Sequence, residues 1–144
     1  MSVKQISVFL ENKAGTLQGM TQTLADHKID MRALSLAETN DFGIVRLIVD
    51  DVYTASTVLK EAGYIHNVTP VLGVAIPDEP GGLNVVLQIL GEAGINVEYM
   101  YAFLGGPSAE HAYMIFRVQD RKVAAAALRS KGIQIVDQDH ISQL

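Results

Sequence analysis

Residues 6–34 and 72–100 are one segment written twice. The stretch ISVFLENKAGTLQGMTQTLADHKIDMRAL lies over LGVAIPDEPGGLNVVLQILGEAGINVEYM without a gap, at an offset of 66. Val8 meets Val74, Gly15 meets Gly81, Leu17 meets Leu83, Gln22 meets Gln88, Leu24 meets Leu90 and Ile29 meets Ile95. After an insertion near 105–110 the match resumes at an offset of 69, where Asp51 meets Asp120, Leu59 meets Leu128 and Gly63 meets Gly132. A repeat of this length is a small domain, not a solenoid unit. The chain is therefore read as two domains, residues 1–69 and 70–144. They join around Pro70 through a linker too short to act as a tether. A domain of about 60 residues buries only about 60% of its unfolded surface, so the halves are expected to support each other. Seams between such copies are natural places for a small ligand.

Each copy reads strand, helix, strand, strand, helix, strand. In the first, Ile6, Val8 and Leu10 alternate onto one face of a strand over 4–10. A turn at Ala14-Gly15 opens a helix in which Leu17, Met20 and Leu24 recur at helical spacing. Strands follow over 31–38 and 43–50, joined by the turn Thr39-Asn40-Asp41-Phe42. Asp51 then suits the N-cap of a helix carrying Ala55, Val58, Leu59 and Ala62 and stopped by Gly63. A short strand near 64–69 completes the copy. The second copy repeats this with Leu72, Val74 and Ile76, then Leu83, Val86, Leu87 and Leu90, with Gly94 as the stop. Its strands fall near 96–104 and 112–118 around a loop at 105–111. Asp120 caps a second helix ended by Gly132. A last strand near 133–138 and a polar tail are expected. This order gives two ferredoxin-like α+β units, each an antiparallel sheet with both helices on one face.

The other sheet face of such a unit is ordinarily wet. Here it carries Ile44, Arg46 and Ile48 in the first copy. In the second it carries Val97, Tyr99, Tyr101, Phe103, Tyr113 and Ile115. A patch of that kind marks a covered surface, either by the other copy or by a second chain, or else a ligand platform.

Composition narrows the function. The net charge is −5 with no lysine or arginine run, which argues against nucleic acid or an anionic membrane as partner. There is no cysteine, hence no disulfide, thiolate zinc site or thiol nucleophile. His27, His66, His111 and His140 lack metal-ligand spacing, so neither metal nor cofactor is expected. The N-terminus does not read as a signal peptide and no stretch approaches the ~20 apolar residues of a membrane span, so a cytoplasmic protein is expected. No nucleophile has a matched base, and Gly105-Gly106-Pro107 lacks the Gly-Lys-Ser/Thr of a P-loop. The chain is read as a non-enzyme.

The candidate chemistry sits at two matching turns, Glu11-Asn12-Lys13-Ala14-Gly15-Thr16-Leu17 and Pro77-Asp78-Glu79-Pro80-Gly81-Gly82-Leu83. Each leaves a first strand and opens a helix, whose free N–H groups and partial positive charge suit a carboxylate. Glycine there permits close backbone approach. Asn12 and Asp78 have a plainer role available as helix caps. Asp30 with Met31, and Asn96 with Val97, match each other at the start of the second strand. Asp30 is an acceptor for an ammonium group, but it lies beside the turn only where neighbouring sheets pair through edge strands.

These residues carry a resemblance. Asp78, Pro80, Gly81 and Leu83, followed by Gly94, Ile95, Asn96 and Val97, resemble the motif of the ACT domain. The first copy keeps Asn12, Gly15, Leu17, Ile29 and Asp30, but has Ala14 where proline is usual and Lys28 where glycine is usual. The resemblance covers nearly the whole chain, as two ACT domains in tandem. It implies a free amino acid bound at seams between domains, side-by-side sheets, a homodimer and a regulated enzyme as partner. Leu10 and Ile76 stand where serine-sensing members have histidine, so serine specificity is not implied. Two alternatives remain: a purely structural or interaction module, and an RRM-like nucleic-acid binder using Phe9, Tyr99, Tyr101 and Tyr113. The acidic balance and the missing RNP run oppose the second.

Overall fold

The computed structural model describes residues 2–38, 41–103 and 111–144. The chain divides into two compact units, Lys4–Thr69 and Pro70–Leu144, the latter joined by the start of the chain.

In the first unit the elements are β1 (Val3–Glu11), α1 (Thr16–Asp26), β2 (Met31–Glu38), β3 (Phe42–Val49) and α2 (Val52–Glu61). β1 pairs antiparallel with β3, from Ile6↔Leu47 to Glu11↔Phe42, and β3 pairs antiparallel with β2. The Phe9 N–H donates to the Ile65 carbonyl at 3.0 Å, leading the chain into β4 (His66–Pro77). The alternating residues Ile6, Val8, Leu10, Val45, Leu47 and Val49 meet Met20, Leu24, Ala55 and Leu59 of the two helices in one core.

The second unit repeats the plan with the later part of β4, α3 (Gly82–Glu92), β5 (Val97–Phe103), β6 (His111–Val118), α4 (Arg121–Ser130) and β7 (Gln134–Val136). β4 is flanked by β6 and β7, and β5 lies outside β6, all antiparallel. Leu72, Val74, Ile76, Met114, Phe116 and Val118 pack against Val86, Leu90, Ala124 and Leu128. Both units are therefore βαββαβ, as the duplicated pattern requires.

Four details differ from the sequence reading. The short strand near 64–69 and the strand of the second copy are one strand, β4, so Pro70 sits within a strand and no linker exists. Pro70 is exposed, the kind of position where a missing N–H is tolerated. The last strand is only Gln134–Val136, and the polar tail is a helix, α5 (Gln138–Ser142). Asp137 caps it by accepting from the His140 N–H at 2.9 Å, and Ile141 is completely buried. The Gln138 N–H donates to the Ser2 carbonyl, which ties α5 to the start of the chain. The expected turn at 39–42 falls partly, and the loop at 105–111 mostly, outside the described residues.

The fourth correction concerns Val97. It packs on the helix-side core, not on the outer face. A β-bulge between Val97 and Tyr99 inserts Glu98 and reverses the alternation at that point. The first unit has its counterpart between Met31 and Ala33, at Arg32. Of the rest of the outer set, Tyr101, Phe103, Tyr113 and Ile115 are buried and Tyr99 is half-buried. Part of the cover is the chain's own last helix, because the His140 ring lies 6.1 Å from that of Tyr113, which in turn stacks on Phe103 at 5.0 Å. In the first unit Ile48 is buried while Phe9 remains exposed.

Asp51 and Asp120 cap α2 and α4 as expected, accepting from the N–H groups of Thr54 and Val123, each at 3.1 Å. The Thr54 hydroxyl and then the Thr54 N–H hold the Asp51 carboxyl below its ordinary pKa. A carboxyl lowered in the native state contributes stability above the ordinary carboxylate range, and loses it as pH falls through the lowered value. Asp51→Ala is thus expected to lower the urea midpoint at neutral pH, with the gap from the parent closing in acid. A gap constant down to acid pH would show that the charge plays no part.

Candidate functional site

The two turns that open α1 and α3 share a geometry that the other helices lack. Gly15 and Gly81 are the N-cap residues, at φ 89° and 86°, in the left-handed region that glycine occupies without a Cβ penalty. Neither helix receives a side-chain cap. By contrast α2, α4 and α5 are each capped by an aspartate. Asn12 and Asp78 are therefore not caps. The Asn12 carboxamide instead donates to Glu38 Oε2 at 3.2 Å, and Asp78 is exposed. Among the described residues neither N-cap residue places a side-chain acceptor on the first-turn amides, and the positive ends of α1 and α3 suit an anion.

Different chemistry closes the two turns. In the first, the Thr16 hydroxyl donates to the carbonyls of Glu11 at 2.7 Å and Lys13 at 3.0 Å. In the second, Gly82 takes the place of Thr16, and Pro77 that of Glu11. Gly82 lies so close to the Pro77 carbonyl oxygen that a Cβ would run into it. Gly81 itself has open space where its Cβ would be. Ala14, Lys13, Pro80 and Asp78 are all exposed, and Leu17 and Leu83 pack against their respective cores. Lys13 pairs with Glu11 at 2.9 Å on the surface.

The structure does not bring Asp30 to the turn of its own unit. Met31 lies opposite Val49 at one end of β3, and Glu11 lies opposite Phe42 at the other. The separation is about 24 Å at about 3.4 Å per residue. The Asp30 carboxylate accepts from Arg32 at 2.9 Å, and the Asp30 N–H donates to Asp50 Oδ1 at 3.1 Å. Asn96 is placed likewise at the far end of the second unit. It lines a shallow cleft of about 370 Å³ with Gly94, Ile95, Gln119 and Asp120.

Two hollows adjoin the first turn. One, of about 400 Å³, is lined by Phe9, Glu11, Lys13, Gly15, Thr16, Gly19, Gly63, Tyr64 and Ile65 among others. Gly19 leaves room for the Tyr64 hydroxyl, which would sit 3.6 Å from a Cβ there. The sequence reading missed Gly19 and Tyr64; a glycine inside a helix was the available signal. The arrangement is not repeated, because Val85 and Ile133 occupy the matching positions. The other hollow, of about 90 Å³, lies between Leu10, Asn12, Leu17, Leu36, Glu38 and Gly43, where the turn faces β2.

Among the described residues no group of three histidine, aspartate or glutamate side chains is placed to hold a metal ion. No described helix is long and apolar enough to cross a membrane. Tyr101 and Tyr113 are buried and offer no stacking surface for bases.

Residues 1–144 match the family described as an ACT domain pair. The chain belongs to that family. A solved protein from Bacteroides thetaiotaomicron shares 36% identity over 100% of this chain and 98% of its own, with a TM-score of 0.91. The ligand-free regulatory subunit of aspartate kinase from Thermus thermophilus is 19% identical, covers 92% of each chain and superposes with a TM-score of 0.66. That from Thermus flavus is 14% identical over 90% of this chain and 92% of its own, with a TM-score of 0.61. At those identities the two Thermus proteins speak for the shared ACT fold alone. A search of curated protein sequences returns no match. The two βαββαβ units are thus ACT units, with the Gly15 and Gly81 turns at matching places.

Proposed function

We propose that this ACT pair is a cytoplasmic amino-acid-binding regulatory module. It performs no chemistry itself and modulates a metabolic enzyme. The α-carboxylate of the ligand rests on the first-turn amides at Gly15 or Gly81. Its ammonium meets an acceptor from a neighbouring ACT unit, at a seam. Binding stiffens the seam and shifts an equilibrium that a partner reads. The observation that carries this reading is the selective lack of caps: three helices start from an aspartate cap, while the two at the motif turns start from bare glycine. The regulatory aspartate kinase subunits of the same fold agree with it.

Thermal-shift screening of the twenty amino acids at millimolar concentration tests the proposal. A ligand present at about 100 times its Kd adds about 2.7 kcal/mol of stability, which raises the Tm by several degrees in a chain of this size. No shift from any amino acid would leave the turns as structural features only.

A further inference from the structure

The hollow of about 400 Å³ beside the first turn is built from the first unit alone. Its volume falls within the range of small-molecule pockets, about 300–1,000 Å³. Gly15 and Thr16, at the start of α1, line it together with Gly19, one turn further on, and Tyr64. Phe9 and Ile65, 37% and 74% exposed, add apolar surface. A glycine inside a helix costs stability relative to alanine. The packing of the unit does not ask for one at position 19. A Cβ there would meet only the Tyr64 hydroxyl, at 3.6 Å, which is an ordinary contact.

Tyr64 is held so that its polar end stays at this hollow. Its ring packs against the core of the first unit. Its N–H donates to the Leu59 carbonyl at 2.9 Å, and the Gly63 N–H donates to the Lys60 carbonyl at 3.0 Å. These two bonds close a helix through a left-handed glycine, here at φ 86°. Among the described residues the Tyr64 hydroxyl has no hydrogen-bond partner. The second unit keeps the backbone and changes the chemistry. There the Ile133 N–H donates to Leu128 and the Gly132 N–H to Arg129, each at 3.0 Å, with Gly132 at φ 78°. The side chain so placed is an isoleucine packed on its own core, and Val85 stands where α1 has Gly19.

We propose that the Tyr64 hollow receives the side chain of the amino acid held at the first turn, and that the Tyr64 hydroxyl selects a side chain with a hydrogen-bonding group over its apolar isostere. The inference rests on the amino-acid reading above for the class of ligand. With the α-carboxylate at Gly15, the side chain enters the hollow past Gly19, where no Cβ narrows the way, and Phe9 and Ile65 cover its apolar part. The hydroxyl both donates and accepts, so a hydroxyl or a carboxamide suits it equally. Its ring is already fixed by the core, so little freedom is lost when it pairs. A methyl group in the same place takes water from the hydroxyl and returns no hydrogen bond. Val85 and Ile133 give the second turn no such group, so the two turns differ in what they select.

Isothermal titration with isosteric pairs tests this: threonine against valine, asparagine against leucine, and tyrosine against phenylalanine. Gly81→Val serves as the background in which only the first turn reports, and Gly15→Val isolates the second. In the Gly81→Val protein the polar member of at least one pair should bind about three- to tenfold tighter, the yield of one net hydrogen bond. Adding Tyr64→Phe should erase that ratio and leave the affinity for the apolar member, because the ring keeps its packing. Adding Gly19→Val with Tyr64→Ile, the pair that the second unit already accommodates, should give the first turn the preference seen in the Gly15→Val protein. A ratio that Tyr64→Phe leaves unchanged, or tighter binding of the apolar member in every pair, would overturn the inference and leave the amino-acid reading standing. A parent chain that binds none of the twenty amino acids would overturn both.

Discussion

Ile141→Ala is expected to lower the stability of the protein by about 2–5 kcal/mol, the range for removing a fully buried aliphatic side chain. The residue lies in α5, five residues long, in a segment that looks expendable by composition. Its side chain is completely buried, and its helix is fixed at the N-terminal end, by the Asp137 cap and by the Gln138–Ser2 hydrogen bond. Urea unfolding followed by far-UV circular dichroism checks the size of the loss. Near-UV circular dichroism checks the mechanism, because the His140 ring beside Tyr113 fixes the asymmetric surroundings of that tyrosine. A loss below about 0.5 kcal/mol, the level of an ordinary surface substitution, would mean that α5 does not pack as described.

Gly81→Val is expected to abolish amino-acid binding at the second turn with the fold retained. The backbone there has φ 86°, a region a β-branched residue enters only with strain, at about 1–2 kcal/mol. A Cβ added there meets nothing within 4 Å, and Gly81 is exposed, so the cost does not spread into the core. The amides that would hold the carboxylate must move, and each charge-assisted hydrogen bond lost is worth about 1.5–3 kcal/mol, or about tenfold or more in affinity. Gly15→Val tests the first turn in the same way. Isothermal titration of the two variants counts which turn holds ligand. Unchanged affinity and stoichiometry in both would remove the turns from the site. Loss of folding with loss of binding would make Gly81 a structural glycine instead.

Much of this architecture is legible in the sequence because the local signals agree with one another. Alternation in Ile6, Val8 and Leu10, helical spacing in Met20 and Leu24, and aspartates before two helices all point to one topology, and the second copy says it again. The signals fail where one residue breaks a period. A single extra residue at Glu98 turns Val97 to the core, and no composition rule marks a bulge. Pro70 reads as a break, yet a strand accepts it at an exposed position. The tail reads as polar because one isoleucine among Gln138, Asp139, His140 and Ser142 forms no period. The motif turns are visible from their glycines, but their lack of caps is not. Asn12 is a good cap by type, and only tertiary placement turns its carboxamide toward Glu38. The Tyr64 hollow needs a contact between residues 19 and 64, which one sequence does not disclose.

The two β-bulges bear on the history of the chain. They sit at the same step of the second strand in both units, yet the residue at the bulge is Arg32 in one and Glu98 in the other. One is anchored by Asp30 two residues earlier, the other by Arg117 on the neighbouring strand. A kink common to both descendants belongs to their ancestor, whereas opposite signs at its apex must have arisen once the copies parted. The backbone is the older inheritance, and the electrostatics are where the twins began to specialise.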